Sequence, residues 1–186
     1  FHRAEHGTPQ AGVISPLLAN IYLHYVLDTW FEEFAVQSIS GRAQLIRYAD
    51  DAVIVCSNAR DAEMLLQTVK QRMLQFGLRL HPEKTRLLPF QPHAKTSFDF
   101  LGFTHYWKRS ARSWSIARKT AKDRFRRSVQ TITLWCRRNR HLPVAEQHKT
   151  LSRKLIGIGN YYGIRGNIKA QQTLRYLTVR IWGKWL

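Results

Sequence analysis

The chain has 186 residues, of which 44% are hydrophobic, a proportion that supports a packed core and argues against intrinsic disorder. A net charge of +18 favours a polyanionic partner, above all nucleic acid. The two cysteines lie far apart and no apolar run approaches the ~20 residues of a membrane helix, so we expect no disulfide framework, no membrane partner and a reducing, cytoplasmic compartment.

The positive charge is concentrated in the second part of the chain. Residues 1–107 contain 10 Lys+Arg and 10 Asp+Glu, whereas residues 108–186 contain 20 Lys+Arg and two acids, Asp123 and Glu146. This asymmetry predicts that the chemistry belongs to residues 1–107 and that residues 108–186 bind the polyanion.

The first elements in chain order are a helix and a hairpin. Ser15 and Pro16 are typical of a helix start, and apolar residues from Leu17 to Phe34 recur at helical spacing, which predicts a helix with a buried face to about residue 36. Two β-rich runs within residues 44–57 flank a pair of acids, which predicts a β-hairpin with Asp50 and Asp51 at its tip.

The remaining pattern predicts more strands and then helices. Asn58 is a candidate cap for a helix that ends at Gly77. Short strands are expected at residues 86–90, 98–101 and 103–107. Beyond Lys108 we expect only helices, at residues 118–136, 144–155 and 168–185, with a break at glycines 157, 159, 163 and 166. The fold class is therefore α+β, an antiparallel sheet packed on helices followed by an all-helical part.

Asp50 and Asp51 are the strongest candidates for chemistry. Nucleotidyl transfer needs divalent cations, and the hard Mg²⁺ ion takes carboxylate ligands. The alternative is a plain turn, because aspartate is common in hairpin turns.

The residues around this pair favour chemistry. Four segments resemble the reverse transcriptases of group II introns in order and spacing. They are Gln-Ala-Gly at residues 10–12, Ser-Pro-Leu-Leu-Ala-Asn at 15–20, Arg-Tyr-Ala-Asp-Asp at 47–51 and Phe-Leu-Gly-Phe at 100–103. Residues 118–127 and 158–162 resemble the maturase-specific thumb of the same family. The resemblance implies a partial polymerase palm at residues 1–107 and a helical RNA-binding thumb at 108–186.

The resemblance also implies a role for each matching residue. Asp50 and Asp51 would be the catalytic, metal-binding aspartates, holding two Mg²⁺ ions together with a third aspartate. The nucleotide- and template-binding residues would be Gln10, Ala11, Gly12, Tyr48, Ala49 and Lys84. The primer grip would comprise Phe100, Leu101, Gly102 and Phe103, and the RNA-binding residues would be Arg118, Lys119, Lys122, Arg126 and Arg127. Singly, Gly12 could be a turn residue, the phenylalanines core residues, and Gln10 and Lys84 solvated surface residues.

The match has departures and a gap. Ala11 stands where the family usually has glycine, and Ile158 where it often has an aromatic residue. The third aspartate and the fingers have no counterpart after Phe1, so we expect a longer parent protein and little polymerase activity from this chain alone.

Several functions follow from the resemblance. The first is RNA-directed DNA synthesis, with dNTPs, a DNA primer and a template-primer duplex as partners. The second is a maturase module that stabilises intron RNA without catalysis of its own. A reverse transcriptase of a defence or diversification element and a decayed remnant are further alternatives.

Overall fold

The computed structural model describes residues 14–186, which form two compact units that divide between Pro89 and Phe90. The first unit contains α1 (Ser15–Leu23), its continuation in π-helical geometry (His24–Thr29 and Phe31–Ala35), a 3-10 turn (Val36–Ser38), β1 (Ala43–Tyr48), β2 (Asp51–Cys56) and α2 (Ala59–Gln75). The second contains β3 (Ser97–Phe100), β4 (Phe103–Arg109), β5 (Trp114–Thr120), α3 (Lys122–Arg138), α4 (Val144–Tyr162) and α5 (Ile168–Trp185). Helices with antiparallel strands confirm the α+β class. The functional division after residue 107 stays a prediction.

In the first unit, the long helix and α2 pack together against the two-stranded sheet. Val26 and Leu27 meet Val69 and Met73 in one buried cluster. Phe31 and residues around it form a second cluster that reaches the strands. As predicted, Asn58 caps α2, since its side-chain oxygen accepts a hydrogen bond from the Asp61 N–H at 2.8 Å. The sheet is thereby held on a helical layer with its hairpin end free.

The predicted buried face of the long helix is wrong for α1 and only partly correct beyond it, where Val26, Leu27, Phe31 and Ala35 form the buried side. Phe31 is buried, but α1 has no buried residue, and Leu17, Ile21, Tyr25 and Phe34 are exposed. Helical spacing identifies an apolar face and does not identify the element that covers it. Within residues 14–186, nothing covers this face of α1.

The second unit contains a three-stranded sheet, in the order β3-β4-β5, and three helices. The prediction that only helices follow Lys108 is wrong for β5, which pairs antiparallel with β4 along its whole length. β5 follows β4 after residues 110–113 and forms a hairpin with it, whereas the helical interpretation followed the run of cations that continues from β5 into α3. The strand predicted at residues 86–90 is also wrong, because that segment is irregular.

The helices of the second unit pack around Ile132, Cys136, Leu151 and Leu174. The predicted break at glycines 157 and 159 is wrong, since α4 continues through both to Tyr162. A glycine inside a helix costs about 1 kcal/mol relative to alanine, and burial of the apolar face of α4 offsets that cost. Among the helices of residues 14–186, none is long and apolar enough to cross a membrane.

Candidate active site and nucleic-acid interface

The hairpin of β1 and β2 carries the paired aspartates at its tip, as predicted. Tyr48 pairs with Asp51, so Ala49 and Asp50 form a two-residue turn. Ala49 has a φ of 53°, in the left-handed region that costs an alanine roughly 1 kcal/mol. Both carboxylates are exposed. The strained turn therefore presents adjacent acids to solvent at one end of the sheet.

Neither carboxylate of this pair forms a hydrogen bond or ion pair with any residue in the described part of the chain. Two adjacent, unpaired carboxylates suit Mg²⁺, which typically takes one or two protein carboxylates and keeps water or substrate oxygens. Over residues 14–186 no group of three or more His, Cys, Asp or Glu residues could hold a metal. The donor set fits a metal ion as two of its ligands, and the metal-binding role of Asp50 and Asp51 stays a prediction.

Arg47 connects the hairpin turn to the helix beside it. Its guanidinium donates two hydrogen bonds to the Asp28 carboxylate, at 2.6 and 2.5 Å. The remaining nitrogen, Nη1, donates to the Ala49 carbonyl at 2.8 Å and to the Asn20 side-chain oxygen at 3.0 Å. Because the Arg47 side chain is only 12% exposed, these bonds anchor the exposed turn to a largely buried group.

The ion pair between Arg47 and Asp28 also affects the charge near the hairpin turn. The hydrogen bonds from Arg47 lower the pKa of Asp28, although burial opposes the shift, and His24 lies 3.5 Å away on the same carboxylate. Arg47 is therefore neutralised by Asp28 and does not pair with Asp50 or Asp51. The sequence shows Arg47 within the motif, but no sequence signal indicates its partner 19 residues earlier.

Two further acids accept hydrogen bonds within their own surroundings. The Asp61 carboxylate is buried and accepts hydrogen bonds from the Gly41 N–H at 2.7 Å and from the Asn58 side chain at 2.6 Å. Burial alone would raise the pKa of Asp61, but these hydrogen bonds outweigh it and the pKa is lowered. Asp99, in the second unit, accepts from the Thr104 hydroxyl at 2.5 Å. The buried Asp61 carboxylate is therefore not free to bind a metal ion.

The predicted nucleotide-binding residues have different outcomes. Residues 10–12 lie outside the described part of the chain. Tyr48 is 68% exposed beside the aspartates, so its position allows contact with a substrate. Lys84 is exposed in a turn after α2. The binding roles of all these residues stay predictions.

Comparison with known proteins gives the family. Residues 1–105 match the family model described as reverse transcriptase (RNA-dependent DNA polymerase), which covers more than half of the chain and includes the hairpin with Asp50 and Asp51. The chain belongs to the reverse transcriptase family. It is also 32% identical, over 139 residues, to Protein YkfC of Escherichia coli (strain K12), in a match that covers 59% of this chain and 35% of YkfC. The chain thus spans about a third of the length of that relative.

In this reverse transcriptase chain the predicted primer grip forms a second tight hairpin. Leu101 and Gly102, with φ of 50° and 78°, make the two-residue turn between β3 and β4. A Cβ atom at position 102 would lie 2.9 Å from the Tyr162 hydroxyl, so close packing also requires glycine there. The Tyr161 hydroxyl donates to the Leu101 carbonyl at 3.0 Å, and the Tyr161 ring stacks on Phe103. The turn is therefore attached to the end of α4, and its role in gripping a primer stays a prediction.

The predicted RNA-binding residues are all exposed, but they lie on two kinds of element. Arg118 and Lys119 belong to β5, and Lys122, Arg126 and Arg127 belong to the first turns of α3. The strand and helix are consecutive, separated by Ala121, but successive strand residues point to opposite faces of a sheet, so Arg118 and Lys119 do not share one face. Their exposure allows contact with phosphates, and RNA binding by all five residues stays a prediction.

Proposed function

We propose that a protein carrying this chain is an RNA-directed DNA polymerase of a group II intron, which also binds the intron RNA as a maturase. The observation that carries the polymerase part is the pair of exposed aspartates at the tip of the β1–β2 hairpin, unpaired with any side chain of residues 14–186, within a segment that matches the reverse transcriptase family. Asp50 and Asp51 would hold Mg²⁺, which when bound would lower the cost of the charge that develops during phosphoryl transfer.

Residues of the chain next to Asp50 and Asp51 would position these carboxylates and the primer end. Arg47 holds the Ala49 carbonyl and so fixes the turn that carries the aspartates. The exposed ring of Tyr48, next to them, offers an apolar surface for a sugar or base at the primer end. The preorganised turn means that little reorganisation is needed when the substrate arrives.

Primer extension on an RNA template tests the polymerase. In the complete protein, Asp50→Asn and Asp51→Asn should each lower the rate at least about a hundredfold, since each removes a ligand that the metal ion needs. RNA affinity should stay close to that of the wild type. The matched control is Glu63→Gln, which removes an exposed acid from α2 and should leave synthesis unchanged. Synthesis at the wild-type rate in both aspartate variants would refute the assignment.

The maturase part is supported by charge. All of the net charge of +18 belongs to residues 108–186, and exposed cations cluster on β5 and α3. Each phosphate that the protein binds releases counterions, so RNA affinity should fall steeply with salt.

Binding to intron RNA at several salt concentrations tests this part in the full chain. The double variant Lys122→Gln/Arg126→Gln should weaken binding and make the log–log salt slope shallower by about 0.7 to 0.9 for each phosphate that is no longer bound. Lys70→Gln on α2, which removes an exposed lysine from the first unit, is the control. An unchanged slope in the double variant would exclude this surface. Splicing assistance with synthesis-dead aspartate variants would favour the maturase role over the polymerase alone.

A further inference from the structure

A cavity of about 420 Å³ lies between α3 and α4, apart from the predicted catalytic hairpin. Arg124 and Arg127 line it from α3, and Lys154, Gly157 and Ile158 line it from α4. Tyr162, the last residue of α4, lines it as well. All of these residues belong to the second unit, and of them only Arg127 was among the predicted RNA-binding residues.

The cavity has a strong excess of positive charge. Asp123 lies 3.7 Å from Arg124 and 4.0 Å from Arg127, at the outer limit of an ion pair and half exposed. Lys154 has no acidic partner among residues 14–186. One loosely placed carboxylate cannot neutralise three cations, so the cavity attracts an anion.

Gly157 gives the cavity an open wall. It lies inside α4, where glycine is the least favourable residue apart from proline. A Cβ atom built at position 157 would meet no atom within 4 Å, so the packing of the protein itself does not require glycine there. The same is true of Gly159, which lies two residues further along α4 and does not line the cavity. The bare backbone at Gly157 therefore leaves space on the cavity side, where a ligand can approach closely.

The size and lining identify the occupant. A volume of about 420 Å³ lies in the range of pockets that hold one small ligand. A bare phosphate would use the cations and leave the apolar wall of Ile158 and the Tyr162 ring without a function. A nucleotide uses both, because its phosphate meets the cations and its flat base packs on the apolar wall.

We propose that the cavity between α3 and α4 holds one unpaired nucleotide of a bound RNA strand. Its phosphate lies among Arg124, Arg127 and Lys154, and its base lies against Gly157 and Tyr162. This inference rests on the RNA binding in the proposed function and adds a selective site for single-stranded RNA.

The decisive variant is Gly157→Ala in the full chain, with Gly159→Ala as its matched control. Both substitutions replace an interior helical glycine whose Cβ would contact nothing, so both should raise the thermal unfolding temperature. Gly157→Ala should nevertheless weaken binding of a labelled single-stranded RNA of about 12 nucleotides about tenfold, because the methyl group takes the space of the base. Gly159→Ala should bind that RNA as the wild type does.

Duplex RNA of the same sequence and a charge variant complete the test, measured by fluorescence anisotropy. Gly157→Ala should leave duplex affinity unchanged, and Lys154→Gln should make the salt slope for the single strand shallower by about 0.7. The inference is overturned if Gly157→Ala binds the single strand normally, if it loses duplex affinity equally, or if Lys154→Gln leaves the slope unchanged. A wild-type chain that binds neither RNA would instead refute the RNA binding in the proposed function.

Discussion

The contact between Arg47 and Asp28 allows a quantitative prediction for the hairpin that carries the aspartates. Arg47→Met keeps much of the side-chain volume and removes two hydrogen bonds to Asp28, one to Asn20 and one to the Ala49 carbonyl. Removing one partner of a fully buried ion pair costs about 3–5 kcal/mol. Because Asp28 is 24% exposed, water recovers part of that loss, and we expect the free energy of unfolding to fall by about 2–4 kcal/mol.

Urea unfolding of the wild type, Arg47→Met, Asp28→Asn and the double variant measures this pair. The two side chains share hydrogen bonds, so the coupling energy should be about 1–3 kcal/mol. The pH gives an independent check. The pKa of Asp28 is lowered in the folded protein, so its contribution to stability is fully present above the unfolded value near 3.8 and is lost as the pH falls through the folded value. Single-variant effects that simply add, or a wild-type urea midpoint for Arg47→Met, would refute the reasoning.

Two predictions concern the second unit. Burial is the main cause that lowers the pKa of His105, whose Nδ1 is buried and has no hydrogen-bond partner among residues 14–186. Below about pH 6.5 the unfolded chain therefore binds more protons than the folded protein, so the stability of the wild type should fall as the pH drops. His105→Phe should reduce that fall, as measured by thermal unfolding between about pH 5 and 8. An equal pH dependence in the variant would contradict this cause. Asn167 is 1% exposed and forms two hydrogen bonds with Thr120 and one with the Tyr162 carbonyl, so Asn167→Ala should lower the free energy of unfolding in urea by about 2–4 kcal/mol. Asn167→Asp keeps the acceptor for the Thr120 N–H but loses both donated hydrogen bonds, so it should also be destabilising. A wild-type urea midpoint for Asn167→Ala would exclude this role.

Local sequence patterns were sufficient where neighbours along the chain decide the structure. The β1–β2 hairpin follows from two β-rich runs around a two-residue turn, and α2 follows from its cap and apolar stripe. The hairpin is formed by residues close in sequence, and α2 requires only a cap and one apolar face. The same holds for α5, which spans Ile168–Trp185 as predicted.

Pairings between distant residues were beyond such patterns. The error at β5 was local instead: its basic residues continue into the stripe of α3 and were predicted to be helical, although they pair with the neighbouring strand β4. The contact of Arg47 with Asp28, the anchoring of Leu101 by Tyr161 and the bonds of Asn167 to Thr120 all join residues between 19 and 60 positions apart. Spacing along one chain does not encode which distant side chains meet.

The sequence by itself determined the chemical character of this reverse transcriptase chain: adjacent carboxylates within a family motif, and a net charge of +18 carried by residues 108–186. Composition and local order are additive properties that can be read residue by residue. Only the tertiary structure decided that Asp50 and Asp51 are exposed while Asp28 and Asp61 are engaged, and that a glycine of α4 opens a cationic cavity. Those outcomes depend on which groups lose water and which gain partners, and folding settles both together.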